Sequence, residues 1–430
     1  MNKRLIIISA DPLSQTYSNG KTLESMIGNW DKENVAQIYF NPYFPSSHIC
    51  EKYFRITDSN IISSHFKKNR IGEYVNNACE KTEIYKESST RGKLKKIPFA
   101  RVLRELIWKM NWDKVEKMKL WLDEFAPEVI LFMGGDLLFM YSLCLYIVER
   151  YHIPIIFQVT DDYLDRRCGL SLSAYIMRNK IRHQFKKMVL KAAAFITIGD
   201  YMREVYLTKF GVDSVTFMNA VEIPEKIPKY TANEKIELLY AGSLYFGREK
   251  ILLAVRNSLE RLNKIGIQSH LSIYTSSTLD KEVESKLNDG VVSSVCGYVS
   301  QKELQKRIHS SDVLVFVEDF SKKNIDKTRL SVSTKLPEYM VSGRSILAVG
   351  PKEVGSMKYV QTFACVCNSL DDSVLDKKVE YLLTDTDYRK SLSEQAFEMA
   401  VQNHSVKRNR MIFAELIEGV FDYDNTSKNK

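Results

Sequence analysis

In the stretch STKLPEYMVSGRSILAVG, Ser333 to Gly350, a lysine and a glutamate stand three residues apart across a proline. The stretch starts polar and turns helical. It then stops at Gly343-Arg344-Ser345 and continues as a short apolar strand. A carboxylate in the first turn of a helix is favoured by the helix dipole. Glu338 in that place can accept two hydroxyl hydrogen bonds from a vicinal diol such as a ribose. Lys335 puts a cation at the mouth of the same helix. Ser333 or Thr334 can cap the helix, and their backbone amides can face a diphosphate. The plainer alternative is a helix cap with a solvated lysine.

A second segment, IELLYAGSLYFGREK from Ile236 to Lys250, reads as a strand, a glycine-containing turn and a helix. Gly242 and Gly247 permit close backbone approach, and free amides at a helix start attract phosphate. Arg248 adds a planar, bidentate cation. The spacing is neither G-x-G-x-x-G nor a P-loop, so by itself it is also an ordinary strand-to-helix turn with an exposed arginine.

These residues need elements to hold them. The chain has 430 residues, room for two domains, and 44% hydrophobic with 27% charged residues is ordinary for a globular enzyme. Apolar runs expected as strands are Leu5–Ser9, Val35–Phe40, Val129–Met133, Ile155–Val159, Phe195–Ile198 and Val215–Met218 in the first half. Continuous apolar runs of this kind suit parallel strands covered on both faces. Helical patterns lie between them, including Trp112–Phe125, Ser173–Ala193 and Tyr201–Phe210. VEIPEKIPKYTAN, Val221 to Asn233, has two prolines and no periodicity, and reads as a linker. The alternation then resumes with strands at Ile236–Tyr240, Ser269–Tyr274, Val291–Val295, Val313–Val317 and Ser345–Val349. Two successive βα arrays predict an α/β chain of two Rossmann-like, doubly wound domains facing across a cleft. The expected divisions are one such domain at 1–220 and a second at 234–405. A C-terminal helix and tail at 406–430 would pack back on the first domain. Ligands of such sheets bind at the carboxyl ends of the strands.

Other classes are excluded on the same grounds. The apolar run at the N-terminus ends in Asp11-Pro12 and reads as a strand, not a secretory leader. Seven scattered cysteines read as buried thiols of a reducing compartment, and Cys365-x-Cys367 alone is a weak metal signal. Val129 to Val148 is long enough to span a bilayer, but Gly134-Gly135-Asp136 divides it into a strand, a turn and a packed helix. The formal charge of +9 is uneven. Basic residues outnumber acids from Arg91 to Lys119, among Phe99, Trp108 and Trp112, and the stretch from Gly169 to Gly199 has six Lys or Arg and no acid. A basic, aromatic helical face fits an anionic membrane surface, or simply solvent. No nucleic-acid-binding module is present.

The opening stretch resembles the donor-site signature of GT-B glycosyltransferases, especially glycosyltransferase family 4, which reads roughly K-x-x-E-Y-x-x-x-G-x-P-V-L-A. Ser345 stands in place of the usual proline. YAGSLYFGREK is similar to the first turn of that family's donor domain. GYVSQKELQKRIHSSDVLVFV from Gly297 is similar to the segment that cups the base, and Tyr381 to Ser405 to the closing helices. DPLSQTYSNGKTL resembles the glycine-containing loop after the first strand.

The resemblance implies a UDP- or GDP-sugar as substrate, a hexosyl or other glycosyl transfer that is retaining rather than inverting, and no cofactor or metal. Glu338 matches the second glutamate of the E-x7-E motif, which binds the donor ribose, whereas the first falls on Leu330. Arg248 and Lys335 resemble the paired cations that stabilise the departing diphosphate, with Lys250 the alternative to Arg248. Gly242, Ser243, Ser333 and Thr334 would line the diphosphate, Tyr298 would meet the base, and Gly20 would approach the donor phosphates from the first domain. In FQVTDDYLD, Asp161 and Asp162 follow a strand, where a general base belongs, and Asp162 is the candidate. With the basic face, the resemblance implies a cytoplasmic enzyme on the inner face of the plasma membrane, glycosylating a lipid-linked saccharide for surface polysaccharide. The alternative is a catalytically silent subunit of the same fold that binds a partner transferase or a glycan.

Overall fold

The computed structural model describes residues 3–14, 18–63, 71–75, 98–111, 115–164, 172–230 and 233–428. Parts of the expected loop after the first strand (residues 15–17) and of the basic stretches (residues 91–97, 112–114 and 169–171) lie outside the described residues. The chain divides into two compact units. One comprises Met1–Asn219 with Val406–Lys430, and the other Ala220–Ser405.

The first unit is built on an eight-stranded sheet. Its strands are β1 (Leu5–Ser9), β2 (Val35–Tyr39), β3 (Lys52–Arg55), β4 (Glu73–Val75), β5 (Val129–Met133), β6 (Ile155–Val159), β7 (Ala194–Thr197) and β8 (Val215–Thr216). Their order is β4-β3-β2-β1-β5-β6-β7-β8, all parallel except the β3–β4 pair. β1, β2, β5 and β6 are buried at every position, as parallel strands under helices must be. Two buried glutamines, Gln37 and Gln158, break this apolar rule. Gln37 in β2 donates to Ser9 Oγ at 2.7 Å and accepts from the Leu13 amide at 2.9 Å, which pins the loop after β1. The terminal helix Val406–Lys428 belongs to this unit and packs on the helix Ser18–Ile27. Its Phe413 ring lies 5.8 Å from Trp30 and 6.2 Å from Phe217.

The second unit has six parallel strands, β9 (Ile236–Ala241), β10 (Ser269–Tyr274), β11 (Ser293–Gly297), β12 (Val313–Val317), β13 (Ser345–Val349) and β14 (Cys365–Cys367). Their order is β11-β10-β9-β12-β13-β14. Leu238, Val313, Val315 and Leu347 bury one face of the sheet, against Ile251, Val255 and Leu259 of the helix Arg248–Lys264. Leu239, Leu314, Ile346 and Ala348 bury the other, against Leu336, Tyr339 and Met340 of the helix Leu336–Met340.

Several boundaries differ from the sequence expectation for visible reasons. β11 starts two residues after Val291 because Asp289 Oδ1 accepts the amides of Val291, Val292 and Ser293 at 2.9, 2.8 and 3.1 Å. β3, β4 and β14 are short strands without a long apolar run, so periodicity passes over them. The Cys365 and Cys367 pair forms the buried edge strand β14 and has free thiols. Val129 to Val148 divides into β5 and the helix Leu138–Tyr151, and no helix among the described residues is long and apolar enough to cross a membrane.

The turn before β13 needs a glycine. Gly343 has φ +72°, and a Cβ there would lie 2.6 Å from the Pro228 carbonyl oxygen. Gly290, in the same unit, has the same φ of +72° with open space around it. Both Gly→Ala variants should therefore lose about 1–2 kcal/mol for the left-handed backbone. Gly343→Ala should lose more, because backbone has to move. Urea unfolding of the two variants side by side checks this, and equal midpoints would remove the close-approach argument.

Candidate active site

In an open α/β sheet the ligand crevice lies where the strand order reverses, beyond the carboxyl ends. In the second unit that point is between β9 and β12, since β9 connects to β10 on one side and pairs with β12 on the other. The turn from Gly242 to Gly247 leaves β9 at this place. Gly242, at φ +144°, donates to the Tyr274 carbonyl at 2.9 Å, and a Cβ on it would overlap the Lys335 ammonium. Only glycine leaves room for that lysine. Phe246 takes a positive φ of 65°. Asn324 holds the strained turn by donating to the Phe246 carbonyl and to Asp319 Oδ2, both at 2.8 Å. Gly247, at φ +80°, brings the backbone against the Asp319 carboxylate. Ser243 accepts the Tyr240 hydroxyl on its carbonyl at 2.7 Å.

Arg248 opens the next helix and turns back across the switch point. Its Nη2 donates to both oxygens of Glu318, at 3.0 and 3.2 Å. Glu318 follows β12 and is 3% exposed. Burial pushes its carboxyl up from the ordinary range, while Arg248 and then Lys335 pull it back. Lys335 extends beside them with its Nζ 4.9 Å from the centre of the Tyr240 ring. Among the described residues, no carboxylate lies within ion-pair distance of that ammonium. Desolvation and the neighbouring Arg248 charge lower its pKa to about 7, against the weaker pull of Glu318 and Glu338. Two cations therefore share one buried carboxylate, and one of them loses its proton near neutrality. An arriving dianion would supply the missing countercharge.

Glu338 sits one turn further along, where Gln301 Nε2 donates to its Oε1 at 3.2 Å. Gln301 starts the helix after Gly297-Tyr298, so this bond ties the Tyr298 segment to the opening stretch. Tyr298 is 77% exposed, a free aromatic face at the end of β11. Ser333 differs from expectation. Its amide is already given to Ser356 Oγ at 2.9 Å, and its hydroxyl accepts only a long 3.5 Å contact from the Lys335 amide. Neither Ser333 nor Thr334 caps the helix Leu336–Met340, whose N-cap is Lys335 itself. Leu330 is 1% exposed, so the place of the first glutamate is filled by a core side chain. Lys250 is exposed on the helix surface, and of the two candidates it is Arg248 that joins Lys335.

Gly20 and Asp162 lie in the other unit, after β1 and β6. A Cβ on Gly20 would strike the backbone of Ser14, so the close approach it permits is to its own loop. Asp162 is 1% exposed and accepts the Leu164 amide at 3.1 Å, capping a turn.

Sequence reasoning missed Glu318, Gln301 and Tyr339. Tyr339 accepts the Ala241 amide on its hydroxyl at 2.9 Å and so locks the end of β9 to the helix bearing Glu338. An acid directly after an apolar run, as in VLVFVED, was the available signal for Glu318.

No protein-family model matches the chain. No curated protein matches it either. Solved structures do. Sucrose-phosphate synthase from Thermosynechococcus elongatus is 13% identical with a TM-score of 0.62, over 98% of this chain and 100% of that one. Trehalose 6-phosphate synthase from Burkholderia multivorans is 12% identical with a TM-score of 0.61, over 99% and 98%. The Anabaena protein HepE in complex with UDP is 11% identical with a TM-score of 0.62, over 96% and 99%. At these identities the likeness is one of fold, and it runs the length of the chain. With its two parallel-sheet, Rossmann-like units, the chain has the GT-B fold.

Proposed function

We propose that the protein is a glycosyltransferase, similar to family 4, that moves a sugar from a nucleotide sugar to an acceptor hydroxyl. The observation that carries this reading is the pair Arg248 and Lys335 gathered around Glu318 at the switch point, with Glu338 held one turn away. Transfer breaks the bond between the anomeric carbon and a phosphate oxygen, forms one to the acceptor oxygen and, in net, passes the acceptor hydroxyl proton to the departing diphosphate. Negative charge then grows on the leaving nucleoside diphosphate, and preorganised cations in a partly dehydrated site stabilise it. Glu338 would hold the ribose diol, Tyr298 would lie against the base, and Gly242 with Ser243 would let the diphosphate approach the backbone. Asp162 is the general-base candidate in this reading, placed just after β6. The stereochemical outcome proposed is retention.

The acceptor proposed is a lipid-linked saccharide, used at the inner face of the plasma membrane in surface polysaccharide assembly. Supporting this, the helix Leu172–Lys191 buries Ala174, Met177, Ile181, Phe185 and Met188 and leaves Lys180, Lys186 and Lys187 exposed. It carries no acid along its length. Such a face suits an anionic bilayer. The buried Leu330 favours one other reading, a catalytically silent subunit. Release of nucleoside diphosphate from a panel of UDP- and GDP-sugars, on addition of acceptor, separates the two.

Within the first reading, Lys335→Ala should lower kcat by about a hundred- to a thousandfold, the usual loss of one transition-state donor. Glu338→Ala should act on donor binding instead, by roughly ten- to a hundredfold. A purely structural helix start predicts no such split, so steady-state kinetics on both variants, with circular dichroism for folding, decide between them.

Titration gives an independent check. Lys335 is charged below about pH 7 and neutral above it, and a diphosphate binds the charged form better. Nucleoside diphosphate affinity should therefore fall as the pH rises from about 6.5 to 8.5, across this displaced lysine pKa. Lys335→Met should flatten that fall. Glu318→Gln should move it to lower pH, because Glu318 is one of the charges holding the lysine pKa up. Calorimetric titration of UDP and GDP across that range reads all three proteins, and an unmoved profile in Glu318→Gln would count against the coupling.

A further inference from the structure

In the first unit, a groove between the helices Pro98–Asn111, Leu138–Tyr151 and Leu172–Lys191 takes no part in the donor chemistry above. It encloses about 550 Å³ and is lined largely by carbon, from Val102, Leu106, Leu138, Phe139, Tyr175 and Ile176. Leu106, Tyr175 and Ile176 are 48%, 60% and 41% exposed, which is unusual for three large apolar side chains in one place. The floor is rigid. Phe139 stacks on Trp108 with ring centres 3.7 Å apart, and Trp108 is fixed by donating to Asp58 at 2.8 Å.

The polar part of the lining is one-sided. Lys109, Lys180 and His183 are exposed there. The one acid among the described lining residues, Glu105, is committed elsewhere, since it accepts the amides of Leu138 and Phe139 at 3.1 and 3.0 Å. Burial also pushes its carboxyl up to about 7, which weakens it as a competing anion. The buried side-chain oxygen of Gln184, a lining residue, has no partner among the described residues.

An apolar trough with a basic rim, its one acid already committed to backbone amides, is complementary to an amphiphile that ends in an anion. The volume falls in the range of small-ligand pockets, which suits one chain better than a packed protein partner. We propose that this groove seats the hydrocarbon chain of a single-chain lipid phosphate, with Lys109, Lys180 and His183 meeting the phosphate. It would thereby hold the lipid part of the acceptor, a step that rests on the function proposed above.

The test is calorimetric titration of the full chain with dodecyl phosphate below its micelle concentration, beside dodecyl maltoside and inorganic phosphate. Dodecyl phosphate should bind, and both controls should bind at least about tenfold more weakly, because each lacks one half of the match. Ile176→Asp and Lys180→Glu, both at exposed positions, should each weaken dodecyl phosphate by about tenfold and leave UDP or GDP affinity unchanged. Equal binding of dodecyl maltoside, or unaltered binding by both variants, would overturn the assignment. So would loss of binding only to phosphatidylglycerol vesicles with dodecyl phosphate binding intact, which would mark a bilayer contact instead. Nucleotide binding without lipid phosphate binding removes the groove alone. Lipid phosphate binding without any nucleotide binding removes the donor reading and leaves the groove.

Discussion

Glu318 is the anion around which the charged cluster of the second unit is organised. A carboxylate at the end of a buried strand would be costly alone, and it is retained here because Arg248 reaches it across the point where the strand order reverses. That bond fixes the first turn of the helix Arg248–Lys264, and with it the course of the loop from Gly242 to Gly247. Lys335 then enters the space that a side chain at position 242 would fill. With Lys335 protonated, the cluster carries more positive than negative charge in a place that water reaches poorly. In that state it is short of one negative charge, which is the condition for preorganised electrostatic stabilisation of an anion.

Around this cluster the neighbouring residues act as struts. Asn324 and Asp319 hold the Phe246–Gly247 turn, Tyr339 locks β9, and Gln301 braces Glu338. Arg344, in the Gly-Arg-Ser that ends the opening stretch, is 4% exposed and donates to the Lys229 carbonyl, which anchors the linker beside β13. Charged side chains in one short stretch thus have opposite duties. Lys335 points into a crevice, and Arg344 satisfies backbone carbonyls that would otherwise be buried without donors.

The first unit repeats the switch-point geometry between β1 and β5, but the residues there are of another kind. Gln37 and Ser9 order the loop after β1, and Asp136 after β5 pairs with Arg101. The half-buried acid beside this point, Glu105, feels Arg104 and Arg101 and is spent on the amides of Leu138 and Phe139. The helices flanking the sheet leave an apolar trough with a basic rim. The two units share an architecture and differ in what they present: one offers concentrated charge, the other carbon with charge at its edge.

Much of the architecture is written locally. β1, β5, β6, β12 and β13 start and stop where the apolar runs do, because a parallel strand buried on both faces needs apolar residues at consecutive positions. The sequence alone also brings Lys335 and Glu338 to one helix start, since their spacing is a property of a single turn. What it could not determine was the partner of each charge. Arg248 and Glu318 are 70 residues apart, and only the strand order places their side chains 3.0 Å from each other. The same holds for Leu330, whose burial follows from packing, and for Ser333, whose amide is claimed by Ser356 from a distant helix. Periodicity reports which face of an element is buried. Which groups meet at its end is decided by how distant elements stack, and that is long-range information that no local window contains.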